Sequence, residues 1–391
     1  MLFQEGDLFV ARLDGVTGNP VWSKHYSGPL LQFVRGFGIS PQGNVVFGGQ
    51  FFGAASFGGG IFNGGNNGWG DGFVAAIDAS GSYLWSKHID GMTANVSDVA
   101  VDAAGNVVIA GLFTGTLNLG SGVTLTSPSQ SIYVAKLDGA GNHIWSKHFV
   151  SGGYPSVQRI ATDAAGNVLA VGTFEQTTDF GGGPLTKVDD PNYLDTWGFA
   201  MKLDAAGNHV FSRAFGGDKY SKRALDVATD PAGNAIVTGS CDVSVDLGAG
   251  AVDCGPTGIF IAKYDGAGAL VWEKHYTQTM SPYPLIRVSA DAQSNLLLWG
   301  NLYGQPDFGG GPLPLTGNLF LVKVDAAGGH LWSRSYEVTK YADADAVSVD
   351  AAGNVLVVGT FEGTLNFGGA NLDALAGQDA PTDVFVAKLA P

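Results

Sequence analysis

The chain has 391 residues, of which 60 are glycine and 14% are charged, and its formal net charge is −15 at pH 7. Glycine stands at about twice its usual share of ~7% and charged residues lie well below the usual ~25%, which is typical of sheets joined by many tight turns. The acidic balance excludes a nucleic-acid partner, because phosphates need a basic surface. No apolar run reaches the ~18 residues that span a bilayer, so we do not expect a transmembrane protein.

The first residues, MLFQEGDLFVARLD, contain neither the charged n-region nor the apolar h-region of a signal peptide. We therefore expect any export signal to lie outside this sequence. An acidic, lysine-poor chain fits a soluble extracellular protein. We predict a secreted or cell-surface monomer.

The stretch from Tyr133 to Gly172 contains one complete structural unit. Four runs of five to seven residues, rich in β-branched and aromatic types, are separated by turns of Asp, Gly and Asn. These turn residues accept positive φ, and no 3.6-residue period persists, so the unit is predicted to be four antiparallel strands. Its first strand recurs about every 60 to 66 residues, at Phe9, Phe73, Tyr133, Phe199, Phe260, Phe320 and Phe385.

Four strands in a period near sixty residues indicate the blade of a β-propeller. Six copies of the third and fourth runs predict an all-β, six-bladed propeller of four-stranded antiparallel blades, forming one domain over residues 1–391. We label the strands of a blade A to D from the axis outward. The repeats span residues 7–70, 71–130, 131–196, 197–257, 258–317 and 318–391.

The chain begins and ends inside a blade, so we expect the ring to be closed by pairing of N- and C-terminal strands. Two runs compete for the C position of the last blade. We predict that Val384 to Leu389 takes it, that Val21 to Tyr26 adds as strand D, and that Leu8 to Leu13 lies outermost.

The motif order GNVLAVGTF, then FGGG, then DVFVAKL and WSKHF resembles the bacterial β-propeller repeats called SBBP repeats, which are similar in layout to NHL repeats. The resemblance covers essentially the whole chain. It implies a propeller of the kind found mostly in exported bacterial proteins, and it supplies no catalytic residues.

Trp69 lies in a connection rich in glycine and asparagine between strands B and C of the first repeat. An indole beside amide groups is suited to stacking on a sugar. Packing of Trp69 over the core of its own blade is the alternative, and we prefer it.

Charged residues of alternating sign occupy one position of strand A in four successive repeats: Asp98, Arg159, Asp226 and Arg287. At an axial position, Arg159 and Arg287 can hold a carboxylate or sulfate. Ion pairing between neighbouring inner strands is the alternative and the preferred one.

A tyrosine occurs in the connection from strand D to the next strand A in four repeats, at Tyr154, Tyr220, Tyr283 and Tyr341. Rings and hydroxyls gathered on one face can recognise protein or carbohydrate. Packing of each tyrosine on its own neighbours remains open. This face is the binding face that we predict.

Two further connections contain candidate ligands or crosslinks. In the third repeat, Asp189, Asp190, Asn192, Tyr193 and Asp195 offer oxygens to Ca²⁺, although a solvated acidic loop is preferred and no other cofactor is expected. In the fourth, Cys241 and Cys254 are predicted to form a disulfide, with two free thiols as the alternative.

Other polar residues repeat with the fold and are interpreted as structural. The strand-C cations are predicted to lie opposite the repeated turn aspartates; Ala76 is the exception among the strand-C positions, and Ser40 begins a degraded copy of the turn. Histidines of strand D fall in different blades, so no metal or catalytic histidine site is expected.

No motif of a known reaction is present. We therefore predict a non-enzymatic binding or adhesion scaffold that recognises protein or carbohydrate through one loop face. A propeller lyase or glycoside hydrolase, with its active site at the central channel, is the alternative.

Overall fold

The computed structural model describes residues 7–64, 68–120, 122–187, 196–217, 221–278, 285–301, 304–314, 317–375 and 382–391. These residues form 31 strands and no helix. The all-β prediction is confirmed, and the fold class is the six-bladed β-propeller.

The chain divides into two compact units. The first comprises Met1–Ala170, Phe174–Thr186 and Lys202–His209, and the second comprises Val171–Thr173, Lys187–Met201 and Val210–Pro391. The single domain predicted over residues 1–391 stays a prediction.

Strands in the first part of the chain build an N-terminal hairpin and two blades. The hairpin pairs β1 (Leu8–Leu13) with β2 (Pro20–Tyr26). The first blade has the order β3-β4-β7-β8, with a small hairpin β5-β6 in its B-to-C connection, and the second has the order β9-β10-β11-β12. Their bounds are β3 (Gln32–Ile39), β4 (Val45–Phe51), β5 (Ala54–Ser56), β6 (Ile61–Asn63), β7 (Asp71–Ile77), β8 (Tyr83–Ile89), β9 (Asp98–Val101), β10 (Val107–Asn118), β11 (Thr124–Leu137) and β12 (His143–Val150).

The third and fourth blades repeat this order. The third is β13-β14-β17-β18, with β15-β16 as the added hairpin, and the fourth is β19-β20-β21-β22. Their bounds are β13 (Ser156–Thr162), β14 (Val168–Phe174), β15 (Thr178–Asp179), β16 (Pro184–Leu185), β17 (Trp197–Leu203), β18 (His209–Phe215), β19 (Lys222–Thr229), β20 (Ala235–Asp246), β21 (Ala251–Tyr264) and β22 (Leu270–Gln278).

The last two blades differ at their outer edges. The fifth is β23-β24-β25-β26, extended by β29-β30, and the sixth has three strands in the order β27-β28-β31 among the described residues. Val384 to Leu389 takes the third position of the sixth blade, as predicted, whereas pairing of this strand with the N-terminal strands stays a prediction. Their bounds are β23 (Leu285–Ala290), β24 (Leu296–Asn301), β25 (Leu319–Val324), β26 (His330–Val338), β27 (Tyr341–Val349), β28 (Val355–Glu362), β29 (Thr364–Asn366), β30 (Leu372–Asp373) and β31 (Asp383–Leu389).

A buried ion pair links the A-to-B turn of a blade to its strand C. Asp102 accepts the backbone N–H groups of the turn through Oδ1, and Lys136 Nζ lies 2.8 Å from Asp102 Oδ2. Burial opposes ionisation of Asp102, but hydrogen bonds from Lys136 and Asn106 outweigh it and lower the pKa of the carboxyl group. The same pair recurs with little exposure as Lys202–Asp163, Lys263–Asp230 and Lys323–Asp291, and in a more exposed form as Lys388–Asp350, at 2.8–3.0 Å.

The predicted placement of the strand-C lysines opposite the turn aspartates is thereby confirmed in five blades. The first blade replaces both members together, with Ser40 in the turn and Ala76 in strand C. Ser40 Oγ accepts the backbone N–H of Asn44 at 3.2 Å, so the turn keeps one of its side-chain bonds. Because neither partner is present alone, no buried charge is left uncompensated there.

Strand-D tryptophans connect successive blades. In the first unit, Trp85 Nε1 donates to Gly139 O at 2.9 Å and Trp145 Nε1 donates to Ala205 O at 3.0 Å, each in the C-to-D turn of the following blade. Trp22 of β2 makes the same bond to Ala79 O in the first blade, at 3.0 Å. β2 therefore bears the same relation to the first blade as a strand D, the role predicted for Val21 to Tyr26.

Candidate functional site

A polar pocket of about 250 Å³ lies in the first unit, where the inner strands of the first three blades begin. Six of its eight lining residues are polar, two of these are arginines, and none is acidic. The lining consists of Arg35, Gln50, Asn95, Val96, Ser97, Val157, Gln158 and Arg159.

A β-bulge in the first blade positions Arg35. The pairing of β3 with β4 shifts between Val34 and Gly36, so Arg35 is the extra residue of the bulge. Its guanidinium lies over the ring of Phe33, 5.2 Å from the centroid. A Cβ on Gly36 would collide with Asp98, so glycine permits the close approach of these inner strands.

The segment before β9 is held by a network of hydrogen bonds. Asn95 Oδ1 accepts the backbone N–H of Leu112 at 3.0 Å and the hydroxyl of Ser97 at 3.1 Å. Asn95 O accepts the hydroxyl of Tyr133 at 2.8 Å. Tyr133 is fully buried, and this burial raises its pKa, so the hydroxyl stays protonated and keeps donating. The polar wall at Asn95 and Ser97 is therefore already ordered.

Arg159 is half-buried and is held through its own strand. Its Nη1 donates to Gln158 O at 2.9 Å, and the next residue, Ile160, donates its backbone N–H to Asp98 Oδ2 at 2.8 Å. Asp98 thus fixes the backbone beside Arg159. In the first unit, the arginine that shares a pocket with Arg159 is Arg35.

In the repeat alignment, Gly36 is the residue of the first blade that corresponds to Asp98, Arg159, Asp226 and Arg287. The alignment therefore did not single out Arg35, the residue before it. The signal lies one residue earlier in the repeat. That position carries a polar residue in the first three blades and an aliphatic one in the next two, in the order Arg35, Ser97, Gln158, Leu225, Ile286 and Asp345. Arg35, Ser97 and Gln158, which share this repeat position, all line the pocket.

The charged inner-strand residues of the second unit bond to backbone groups of neighbouring inner strands. Asp226 Oδ2 accepts the N–H of Val288 at 2.9 Å, which repeats the contact of Asp98 with Ile160. Arg287 donates through Nε to Asp345 O at 2.9 Å and through Nη1 to Leu225 O at 3.4 Å. These contacts give Asp98, Asp226 and Arg287 a role in joining blades.

The predicted tyrosines have different environments. Tyr154 is 79% exposed, and its backbone N–H donates to Glu175 Oε2 at 3.0 Å. The hydroxyl of Tyr341 donates to Asp343 Oδ1 at 2.6 Å. Tyr220 and Tyr283 lie outside the described residues, as do the calcium candidates Asp189, Asp190, Asn192, Tyr193 and Asp195.

Trp69 is 65% exposed, which argues against the preferred interpretation that it packs over the core of its blade. Its carbonyl accepts a hydrogen bond from the Gln50 side-chain amide, and Gln50 lines the pocket. The backbone of Trp69 is therefore bonded to a residue of the pocket wall.

Cys241 of β20 and Cys254 of β21 are joined by a disulfide. Both residues are buried. The bond links the two strands of one hairpin in the fourth blade.

No family model matches the chain. A WD repeat-containing protein described as uncharacterized, from Acanthamoeba polyphaga mimivirus, is 26% identical over 112 residues, which are 27% of this chain and 8% of that protein. Within the described residues no helix has the length and apolar character to cross a membrane.

Solved structures that resemble the chain are distant in sequence. A protein of unknown function from Dyadobacter fermentans matches with a TM-score of 0.45 and 13% identity, over 90% of this chain and 93% of its own. A gluconolactonase from Xanthomonas campestris matches with a TM-score of 0.39 and 15% identity, over 83% and 82%. Such low TM-scores and sequence identities do not support a shared activity.

Proposed function

We propose that this propeller is a non-enzymatic, secreted or cell-surface scaffold that binds a carbohydrate bearing a carboxylate or sulfate group. The observation that carries the proposal is the pocket of the first unit. There, two arginines and four amide or hydroxyl side chains converge, and no acidic residue lines the wall.

The charge of the pocket is opposite to that of the chain. A formal net charge of −15 repels anions from most of the surface, whereas Arg35 and Arg159 provide a local positive potential. Guanidinium groups bind carboxylate and sulfate oxygens through paired, charge-assisted hydrogen bonds. The nearby carboxylate of Asp98 accepts the Ile160 N–H, so part of its hydrogen-bonding capacity is already used.

Size and polarity favour a sugar over a larger ligand. About 250 Å³ lies below the ~300–1,000 Å³ of pockets for drug-sized molecules, so the pocket suits roughly one acidic monosaccharide. The amides of Gln50, Asn95 and Gln158 both donate and accept, as sugar hydroxyls require. Trp69 offers an apolar ring face for a neighbouring sugar. The disulfide supports an oxidising compartment.

A glycan array that contains uronic-acid, sulfated and neutral sugars tests the proposal, followed by calorimetry on the best ligand. We expect acidic sugars to bind, and binding to weaken as salt is added. Arg35→Gln combined with Arg159→Gln should reduce affinity by more than about 100-fold, since each lost hydrogen bond to a charged group contributes ~1.5–3 kcal/mol.

Lys147→Gln is the matched control, because it removes an exposed cation of the same unit from outer strand β12. It should leave affinity unchanged. Binding of neutral sugars alone, or equal affinity in the double arginine variant, would contradict the proposal. Turnover of chromogenic glycosides would instead favour the enzyme alternative.

A further inference from the structure

Three potential metal ligands meet in the first blade, on strands that do not form the pocket. One oxygen of Asp71, one ring nitrogen of His88 and one oxygen of Asp90 all lie within 4.8 Å of one another. Asp71 is buried, His88 is half-buried and Asp90 is exposed, so one side of the cluster is open to solvent.

Strand register brings these side chains to one face of the sheet. β7 and β8 pair Gly72 with Ile89 and Phe73 with His88, and continuing that register sets Asp71 opposite Asp90. Alternate residues of a strand point to the same face, so the side chains of Asp71, His88 and Asp90 share it. His88 is then the diagonal neighbour of Asp71.

Each ligand is held by its surroundings. His88 Nε2 lies 2.8 Å from Asp71 Oδ2. The His88 ring stacks on Phe62 at 5.4 Å and meets Phe51 edge-on at 5.3 Å. The backbone of Asp90 is bridged to Asn118, with N–H···O distances of 3.3 and 2.8 Å. The cluster is therefore organised before any ion arrives.

Asp71 and Asp90 bring two carboxylate oxygens within 4.8 Å of each other, and burial of Asp71 strengthens the repulsion between them. A bound cation would remove it. One imidazole nitrogen and two carboxylate oxygens form a donor set that suits Zn²⁺, and three protein ligands leave a position for water or a ligand.

The other repeats show that the fold does not require this set. A histidine recurs at the position of His88 in strand D, but the residues that correspond to Asp71 and Asp90 change. We call these two residues the companions of the histidine. They are Asp7 and Ser27 for His25, Ser131 and Val150 for His148, and Gly258 and Thr277 for His275. Only in the first blade are both companions of a strand-D histidine carboxylates.

We propose that Asp71, His88 and Asp90 form a binding site for a divalent transition metal, with Zn²⁺ as the favoured ion. This proposal departs from the expectation of no metal site. That expectation rested on the separation of the strand-D histidines between blades and did not consider carboxylates in the same blade as a histidine. On binding, the Nε2–Oδ2 separation of 2.8 Å opens to the about 3.3 Å between two ligands of one tetrahedral Zn²⁺.

Calorimetric titration of the chelator-treated full chain with Zn²⁺ tests the site, and Co²⁺ absorption spectra provide a second readout. We expect one tight equivalent and a tetrahedral Co²⁺ spectrum. His88→Gln and Asp90→Asn should each weaken that equivalent by more than about 100-fold, since even outer-shell partners of a metal contribute roughly 10- to 100-fold. Asp90 is exposed, so its variant should fold, as a thermal melt will check.

His148→Gln is the matched control, since it removes the equivalent histidine of the second blade, and it should leave the titration unchanged. His25→Gln is a second control, because His25 contacts one aspartate, Asp7, and has Ser27 in the place of Asp90. It tests whether a histidine–aspartate pair without a third ligand binds the ion. The proposal is overturned if wild-type protein binds no Zn²⁺ equivalent, if a folded Asp90→Asn variant binds as tightly as wild type, or if His25→Gln loses the same equivalent. Displacement by an equal concentration of Ca²⁺ would overturn the assignment to a transition metal.

Discussion

Removing the lysine of one buried ion pair should destabilise the protein far more than removing that of an exposed pair. Lys136 and Asp102 have side chains that are 4% and 2% exposed, and Lys136 also donates to Gly166 O at 3.0 Å. Lys136→Met therefore leaves a carboxylate without its partner in a site that water scarcely reaches. Breaking a buried pair in this way costs about 3–5 kcal/mol.

The first blade supplies the companion variant. There Ser40 and Ala76 replace the aspartate and the lysine together, so Asp102→Ser with Lys136→Ala copies a combination that the fold already contains. We expect the double variant to be less destabilised than the sum of its single variants. The coupling energy should fall within the roughly 0.5–3 kcal/mol measured for residues in contact.

Urea unfolding followed by tryptophan fluorescence measures these differences. Lys388→Met is the control, because Lys388 and Asp350 are 41% and 30% exposed and their pair is screened by solvent. The reasoning is refuted if Lys136→Met lowers the unfolding free energy by less than about 1 kcal/mol, the upper range for a surface pair. The reasoning would also be refuted if the losses in unfolding free energy of Asp102→Ser and Lys136→Ala simply added up to the loss of the double variant.

Two further predictions concern acid and redox stability. Hydrogen bonds from Asn354 and then Lys388 lower the pKa of Asp350 to about 2, from a usual value near 4. A folded-state pKa below the unfolded-state value gives stability that is present above pH ~4 and is lost as the pH falls toward 2. The melting temperature should therefore drop between pH 4 and pH 2. The drop should be smaller in Asn354→Ala, which removes one of the hydrogen bonds that lower the pKa. Intact mass should rise by two hydrogens on reduction of Cys241–Cys254, and replacing both cysteines with serine should lower the unfolding free energy by about 3 kcal/mol, given a sequence separation of 13. Equal masses with and without reductant, or a flat melting temperature from pH 4 to 2, would contradict these predictions.

The sequence by itself determined the class of fold and much of its internal bonding. Strand length, turn residues and a period near sixty residues predict the blades, because each is set by local conformational preference and by which faces must be buried. The pairing of Lys136 with Asp102 also follows from repetition, since two residues that recur together and are absent together in the first blade must serve one structural purpose.

Tertiary structure alone decided which unrepeated residues come together. Arg35 is the extra residue of a bulge and shares a pocket with Arg159, which stands one position later in its own repeat, so a repeat alignment does not bring the two arginines together. Asp71 and Asp90 lie in the same predicted repeat, residues 71–130, at positions whose residues differ in the other copies, and antiparallel pairing of β7 with β8 places both beside His88. Local patterns fix how a strand folds, whereas the register between strands fixes which side chains meet, and both candidate sites depend on register.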